Sequence, residues 1–243
     1  MINTLSIVFP LFNEENRLPK LFKEIKKFSK KSKLALEFIF VNDGSIDNSL
    51  ILIKKFKKGN IKRINIKIVH YKKNKGKGYA LKKGVLVANK DWILTMDIDL
   101  SVSFRQIDFW IKKRFIKNGS NIFFGSRLLT QSNIRAKKYR VFTGDVFNIL
   151  LRLIINDKFL NIKDTQCGFK LYKKHLAKII FKNIKENGYI HDVEVLIIIR
   201  KKKFTVYELP VSWTHKDGSK INIIQDSIKM LINIFHLKLR YKL

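Results

Sequence analysis

The stretch LEFIFVNDGSIDNSLILIKKF, residues 36–56, shows most clearly the strand-and-helix pattern on which the fold prediction rests. Its first part, Leu36 to Val41, is a mostly apolar and partly β-branched run that predicts a buried strand. A helix is predicted soon afterwards, because apolar residues recur at helical spacing at Ile46, Leu50, Ile53 and Phe56. The stretch therefore predicts one strand, a short turn and one helix.

The same strand-and-helix unit is repeated on both sides of this stretch. Further strands are predicted at Thr4 to Phe9, Ile64 to Val69 and Trp92 to Met96. Helical spacing of apolar or small residues follows two of them, at Leu18, Leu21, Phe22, Ile25 and Phe28 and at Ala80, Leu81, Gly84, Val85 and Ala88. Alternating strands and helices with short connections predict a doubly wound α/β fold, in which helices cover both faces of a mostly parallel sheet.

The alternation loosens after residue 100. Strands are still predicted at Asn121 to Phe124 and Thr205 to Leu209, and helices at about 104–117, 139–155, 173–182, 189–201 and 222–239. The last helix has apolar residues on one side and basic residues elsewhere, which is typical of a basic amphipathic helix. We therefore predict one domain at 1–220 and a helix at 221–243 that packs on the core or on lipid.

The composition limits the partners of this chain. Lys and Arg total 51 against 19 Asp and Glu, and the formal charge of +32 favours anionic partners such as nucleic acid, lipid headgroups or phosphorylated substrates. A single cysteine, Cys167, cannot form an intramolecular disulfide, so a reduced, cytoplasmic setting is expected. No apolar stretch reaches the roughly 18 to 20 residues that cross a bilayer, so peripheral membrane contact is expected instead.

Polar residues and glycines follow each of the first four predicted strands, where an open parallel sheet binds its ligands. They are Asn13 and Glu14 after the first strand, Asp43, Gly44 and Ser45 after the second, Gly76, Lys77 and Gly78 after the third, and Asp97 and Asp99 after the fourth. Backbone amides near the glycines, together with Lys77, could bind phosphate oxygens at the starts of helices. A Rossmann dinucleotide site and a nucleoside triphosphatase are disfavoured, because neither glycine fingerprint is present.

Asp97 and Asp99 form the strongest candidate for a metal site. Residues two apart in extended backbone project their side chains the same way. The repulsion between two such carboxylates is relieved when a hard cation, Mg²⁺ or Mn²⁺, bridges them to a diphosphate. The alternative is a local capping role at the start of the next segment, with Ser101 or Ser103 as the better capping residue.

These residues resemble the motifs of the family-two glycosyltransferases. Residues 8–15, VFPLFNEE, look like the first-strand motif of that family, and residues 41–45, VNDGS, look like the second. The resemblance implies the glycosyltransferase-A fold and binding of a nucleotide diphosphate-sugar at the strand ends. In it, Pro10, Glu14 and Asp43 would surround the base and ribose, and Asp97 and Asp99 would be the acidic pair that binds the metal.

Within the family, the chain looks most similar to the branch of dolichyl-phosphate β-glucosyltransferases and polyprenyl-phosphate hexosyltransferases. The similarity runs almost from end to end and rests on residues 74–78, 97–101, 125–127, 164–170, 191–194, 210–213 and 218–220. His191 departs from the branch, which usually has an aromatic residue there. The resemblance implies inverting transfer of a hexose from a donor of the UDP-glucose or GDP-mannose type to a polyprenyl phosphate.

A phosphate acceptor is already ionised near neutral pH and needs no strong general base, but cations must offset the two phosphate groups. Candidates for that role are Arg127, Arg140 and Lys170. The resemblance implies that Asp164, Gln166, Asp192 and Glu194 line the sugar or acceptor side, with Asp97, Asp99, Asp192 and Arg127 as the catalytic residues. Asp192 and Glu194 could instead flank the start of a helix.

Three points stay open on the sequence alone. The apolar segment 141–155 is expected to touch a membrane, to form a buried helix or to contact a separate membrane subunit. The acceptor could be a glycan or an envelope polymer instead of a lipid phosphate. Nucleic-acid binding is suggested by charge only, and the motifs predict that nucleic acid is not the partner.

Overall fold

Seven strands form one sheet in the computed structural model, which describes residues 2–60, 64–116, 119, 121–135, 162–216 and 223–242. The strands of the chain are β1 (Thr4–Leu11), β2 (Ala35–Asp43), β3 (Asn65–Tyr71), β4 (Trp92–Thr95), β5 (Ile122–Ser126), β6 (Asn133–Arg135), β7 (Lys170–Lys173), β8 (Tyr207–Pro210) and β9 (Ser212–Thr214). The helix predicted at 139–155, the membrane contact predicted for it and Arg140 lie outside the described residues.

The strand order in the sheet is β3-β2-β1-β4-β7-β5-β8. The first four strands are parallel, as the alternation of strands and helices predicts, whereas β7 runs antiparallel between β4 and β5. β6 and β9 form a separate two-stranded sheet. The sequence-based prediction includes neither β7 nor this small sheet.

Among the described residues the helices are α1 (Leu18–Lys31), α2 (Ser49–Lys58), α3 (Lys77–Val87), α4 (Arg105–Lys112), α5 (Lys174–Asn183), α6 (His191–Lys201) and α7 (Ile223–Tyr241). Helix α1 buries Leu18, Leu21, Ile25 and Phe28, the positions whose helical spacing predicts it. Helix α4 ends five residues before the predicted end at 117. The other described helices begin and end within a few residues of the predicted bounds.

Two apolar clusters pack against the sheet, one on each side. One joins strand side chains to α1, α2 and α4, and it contains Phe9 stacked on Phe38 with Phe104 at its edge. The other joins the sheet to α3, α5 and α6. Helix α3 lies so close to β1 and β2 that a Cβ at Gly84 would approach Val8 Cγ1 to 2.4 Å. The result is an α/β fold with helices on both faces of a mostly parallel sheet.

Helix α7 has one buried and one exposed apolar face in its last three turns. Ile234 and Leu237 are fully buried, whereas Ile232, Phe235 and Leu239 are 52%, 56% and 76% exposed. The exposed residues are three and four positions apart and therefore share one side of the helix. None of the helices in the described part of the chain has the length and apolar character to cross a membrane.

Candidate active site

A cleft of about 610 Å³ lies at the carboxyl ends of β1, β2 and β4, where a parallel sheet is expected to bind ligands. The predicted site residues that line it are Pro10, Glu14, Asp43, Gly76, Lys77, Asp97, Asp99, Arg127, Gln166 and Asp192. Seven others are described but are not lining residues: Asn13, Gly44, Ser45, Gly78, Asp164, Lys170 and Glu194. The structure thus brings the four strand-end loops together.

Asp43, the last residue of β2, fastens the loop before α3 to the edge of the cleft. Its Oδ1 accepts a hydrogen bond from the Lys75 amide at 2.7 Å, and its Oδ2 accepts one from the Gly76 amide at 2.8 Å. The Asn74 side chain donates to the same carboxylate at 3.1 Å. Gly44 follows with φ of +70°, and a Cβ there would lie 2.5 Å from the Asn74 backbone nitrogen, so this turn requires glycine.

Asn13 and Ser45 join the loops that follow β1 and β2. The Asn13 amide donates to Ser45 Oγ at 2.9 Å, and Asn13 Oδ1 accepts a hydrogen bond from the Ile46 amide at 2.9 Å. Both side chains therefore shape the loops. Glu14, the next residue, does line the cleft, and Arg17 donates to its carboxylate at 3.1 Å.

The amides of Gly76 and Gly78 are used within the protein, which differs from the phosphate-binding role predicted for them. The Gly76 amide is bonded to the β2 carboxylate, and the Gly78 amide donates to the Asn187 carbonyl at 2.7 Å. A Cβ at Gly76 would lie 2.5 Å from the Asn187 oxygen, and one at Gly78 would lie 2.5 Å from the Glu186 oxygen. The close approach of these two backbones explains both glycines.

Lys77 is the first residue of α3 and meets Asp97 in the cleft. Its Nζ lies 2.6 Å from Asp97 Oδ1. Burial by itself would lower the pKa of Lys77, but the negative charges of Asp97 and Asp192 raise it above its ordinary value, so the ammonium stays charged. The Asp97 side chain is 41% exposed and can contact a ligand. Gly168 leaves room for it, since a Cβ there would lie 2.4 Å from Asp97 Oδ2.

Asp99 lines the same cleft and also forms the local turn that the sequence leaves open as its alternative role. Its Oδ1 accepts from the Ser101 amide at 2.8 Å, and its Oδ2 accepts from the Ser101 hydroxyl at 2.9 Å. Each carboxylate oxygen retains a further lone pair, so Asp97 and Asp99 still offer the hard oxygen ligands that Mg²⁺ and Mn²⁺ take.

The donor set around this acidic pair fits a cation that keeps other ligands. Across the described residues, no group of three or more His, Cys, Asp or Glu side chains could hold a metal ion. Magnesium usually binds through one or two carboxylates and completes its octahedron with water and substrate phosphates. Asp97 and Asp99 beside an open cleft match that pattern, whereas they would not form a closed structural site.

Arg127, at the end of β5, is held by a buried ion pair with Asp164. Its Nε and Nη2 donate to the two Asp164 oxygens at 2.7 and 2.9 Å, and its amide donates to Oδ2 at 2.8 Å. Asp164 is fully buried. Burial would raise its pKa, but the guanidinium charge lowers the pKa below the ordinary range, so Asp164 stays ionised. Asp164 therefore orients Arg127, which lines the cleft and lies over the ring of Trp213.

Lys170 is paired with Asp192 inside the protein instead of projecting into the cleft. Its Nζ contacts Asp192 Oδ1 and donates to the Thr165 carbonyl at 2.9 Å. Asp192, in the first turn of α6, does line the cleft. Burial disfavours its ionised form, yet His191, Lys170 and Lys77 lower its pKa below the ordinary value. The pair thus keeps a charged carboxylate at the cleft wall.

Glu194 does not line the cleft, although the family resemblance implies a place on its sugar or acceptor side. It is fully buried, and its carboxylate binds the Lys185 amide and the Tyr241 hydroxyl. Both Asp192 and Glu194 are in the first turn of α6, as the predicted helix at 189–201 allows, and residues two apart in a helix project about 200° apart, so Asp192 lines the cleft and Glu194 does not.

Several lining residues are not among the predicted site residues. They are Leu11, Phe12, Arg17, Asn74, Ala80, Ile98, Ser101, Cys167, Gly168, Gly188, Tyr189, Trp213, His215 and Lys216. Eight of them belong to motifs that carry the family resemblance, which is the signal that could have found them: Leu11, Phe12, Asn74, Ile98, Ser101, Cys167, Gly168 and Trp213. Arg17 and Lys216 are indistinguishable from surface basic residues in a chain with 51 of them.

Comparison of the sequence with known families and proteins gives consistent matches. Residues 6–181 match the family described as Glycosyl transferase family 2. The dolichyl-phosphate β-glucosyltransferase of Dictyostelium discoideum is 33% identical, over 98% of this chain and 75% of that protein. The enzyme of the same name from Saccharomyces cerevisiae is 31% identical, over 98% of this chain and 75% of that protein.

Solved structures share the same fold. Glucosyl-3-phosphoglycerate synthase from Mycobacterium tuberculosis, in complex with Mn²⁺, uridine diphosphate and phosphoglyceric acid, superposes with a TM-score of 0.71. The match covers 98% of this chain and 78% of that one, at 15% identity. The same synthase in another crystal structure gives a TM-score of 0.68. These likenesses establish the common α/β architecture.

Proposed function

Because the chain belongs to glycosyl transferase family 2, we propose that it transfers glucose from a nucleotide diphosphate-sugar to a dolichyl-type polyprenyl phosphate. The observation that carries the proposal is the meeting of Asp97, Lys77 and Arg127 in one cleft. An acidic pair and two cations are the groups that a reaction between two phosphate-bearing substrates needs. The relatives named above supply the identity of the sugar and the acceptor.

The donor diphosphate is proposed to bind between α3 and the end of β4. Asp97 and Asp99 would hold Mg²⁺ or Mn²⁺, which when bound supplies Lewis-acid stabilisation of the leaving diphosphate. Lys77, whose Nζ lies 2.6 Å from Asp97, adds a positive charge beside this pair, and its raised pKa keeps that charge through the neutral range. The loop fastened by Asp43 would hold the nucleoside end.

The acceptor phosphate is proposed to bind at Arg127. Asp164 engages Nε and Nη2, so the guanidinium is held in one orientation and Nη1 stays outside that ion pair. A phosphate oxygen is already ionised near neutral pH and can attack the anomeric carbon by direct displacement. Asp192 keeps its negative charge next to Lys77, which limits the net positive charge of the cleft before substrates bind.

Peripheral contact with the cytoplasmic face of a membrane would bring such a lipid acceptor within reach. The exposed stripe of Ile232, Phe235 and Leu239 on α7 is the surface that we propose for this contact. Lys238 and Lys242 beside it favour anionic headgroups. A separate membrane subunit is the other partner that this stripe could meet.

The experiment that tests the proposal measures the product directly. Purified protein is incubated with dolichyl phosphate in vesicles, Mg²⁺ and radiolabelled UDP-glucose, with GDP-mannose in a parallel reaction. The expected result is a chloroform-soluble labelled product that is absent for Asp97→Asn. Label found only on polysaccharide or protein would contradict the lipid acceptor, and no transfer from either donor would contradict the proposed reaction.

A further inference from the structure

Glu194 is a fully buried carboxylate that lies outside the cleft and has no part in the chemistry proposed above. It is in the first turn of α6, and its two oxygens accept hydrogen bonds from two segments that are more than 50 residues apart in sequence, at 185–186 and at Tyr241. Ionisable groups are rarely fully buried unless their hydrogen bonds are satisfied, so the burial of Glu194 is explained by the hydrogen bonds that it accepts.

One oxygen of Glu194 holds the loop between α5 and α6. Its Oε2 accepts hydrogen bonds from the Lys185 amide at 2.9 Å and the Glu186 amide at 2.7 Å. The backbone carbonyl of Asn187, the next residue of that loop, accepts a hydrogen bond from the Gly78 amide at 2.7 Å. The same loop contributes Gly188 and Tyr189 to the wall of the cleft.

The other oxygen of Glu194 holds the end of α7. Its Oε1 accepts a hydrogen bond from the hydroxyl of Tyr241 at 2.7 Å, and Arg240 Nη1 lies 3.6 Å from the same oxygen. Arg240 also pairs with Glu186 at 2.6 Å, so the last turn of α7 contacts the 185–190 loop directly. Burial and the hydrogen bond to Glu194 raise the pKa of Tyr241, which keeps its hydroxyl protonated as the donor.

Residues 185–190, the loop between α5 and α6 described above, pack tightly against the first turn of α3. Cβ atoms at Gly76 and Gly78 would lie 2.5 Å from loop backbone oxygens, so the two backbones are in close contact. Lys77 stands between these glycines and reaches Asp97 at 2.6 Å. A displacement of the loop must therefore move the turn that carries Lys77.

We propose that Glu194 is a positioning residue that links the end of α7 to Lys77 through the 185–190 loop. Packing of the last turn of α7 against Glu194 then determines where the Lys77 ammonium group lies relative to the donor diphosphate. The inference rests on the proposed function in one respect, namely that a nucleoside diphosphate binds beside Lys77. Because α7 also presents the exposed apolar stripe, contact of that stripe with a bilayer would act on the same linkage.

The test is a double-mutant cycle on binding of UDP and GDP, each with Mg²⁺, measured by isothermal titration calorimetry below the unfolding temperature of every variant. Glu194→Ala and Tyr241→Phe are each made in the wild-type and the Lys77→Ala backgrounds. Removal of a residue that acts through Lys77 loses its effect once Lys77 is gone, whereas independent effects multiply.

We expect Glu194→Ala to weaken nucleotide binding about 5- to 10-fold, at the lower end of typical coupling between sites. Tyr241→Phe should weaken it less, and Glu194→Gln should recover part of the loss, since its amide oxygen can accept both loop amides. In the Lys77→Ala background each effect should fall below twofold. Tyr207→Phe, at a residue on the edge strand β8 that is 44% exposed, is the matched control and should bind as the wild type does.

Two results would overturn the inference. One is unchanged nucleotide affinity in Glu194→Ala and Tyr241→Phe with only a lower melting temperature, which is the outcome of a purely stabilising role. The other is losses that multiply with that of Lys77→Ala. If Glu194→Ala does not fold, Tyr241→Phe decides, because it removes a hydroxyl and keeps the packed ring. A wild-type protein that binds neither nucleotide would instead refute the proposed function on which the linkage rests.

Discussion

Asp164→Asn isolates the contribution of the buried ion pair that orients Arg127. The substitution keeps the shape of the side chain and removes its charge. Asp164 accepts hydrogen bonds from Nε, Nη2 and the amide of Arg127, and from the amides of Gln166 and Cys167 at 3.1 and 3.2 Å. An asparagine presents one NH₂ group, so at least one of these donors would face another donor.

The expected loss in the free energy of unfolding is about 3 kcal/mol. Removing one partner of a buried ion pair costs roughly 3 to 5 kcal/mol. The lower end applies here because the Arg127 side chain is 30% exposed and can turn its charge toward water. In a chain of this size, about 3 kcal/mol corresponds to a fall of about 6 to 12 °C in the melting temperature.

The effect of pH on this difference follows from the lowered pKa of Asp164. A carboxyl whose pKa is lower in the folded than in the unfolded protein contributes its full stabilisation above its unfolded value, roughly 3.9. That contribution is lost as the pH falls through the folded-state pKa. The stability difference between wild type and Asp164→Asn should therefore be constant from about pH 5 to 8 and should shrink below about pH 4.

Urea unfolding followed by tryptophan fluorescence at pH 7 and at pH 3.5 measures both quantities. Asp108→Asn on α4 is the matched control: Asp108 is partly buried and its raised pKa reflects burial, so its loss should change stability by less than about 0.5 kcal/mol. A loss below about 1 kcal/mol for Asp164→Asn, or one equal to that of the control, would refute the assignment of this pair as the support of Arg127.

Three further outcomes are expected. Asp97→Asn should abolish the extra stabilisation, about 2.7 kcal/mol at 100 times the dissociation constant, that UDP with Mg²⁺ gives the wild type in a thermal-shift assay, and persistence of that stabilisation would contradict a metal role. Burial lowers the pKa of His191, so stability should decline as the pH falls below about 6.5, where the unfolded chain takes up the proton first; urea unfolding at pH 7.5 and 5.5 should show that His191→Asn flattens this decline. Phe235→Ser with Leu239→Ser should reduce co-sedimentation with anionic vesicles at least tenfold at an unchanged melting temperature, whereas Ile46→Ser, which removes another exposed apolar residue, should not.

The strand ends show how much of the site is predictable from the sequence. Glu14, Asp43, Lys77 and Asp97 lie at or beyond the ends of four parallel strands, and parallel strands place their carboxyl ends at one edge, so the shared cleft follows from the order of the elements. The roles of Gly76 and Gly78, in contrast, cannot be predicted from the order of the elements. Their phosphate-binding interpretation comes from local pattern, but the Asn187 carbonyl, more than a hundred residues later, takes the Gly78 amide.

The partners of the buried charged residues could not be predicted from the sequence. The α/β architecture, the family and the edge of the sheet that carries the cleft could all be predicted, because periodicity and motifs are properties of short stretches of the chain. The sequence did not determine that Asp164 supports Arg127, that Lys170 neutralises Asp192 or that Glu194 binds Tyr241. Residue type reports that a side chain is charged, but only the packing of distant segments decides whether that charge faces the cleft or is matched inside the protein.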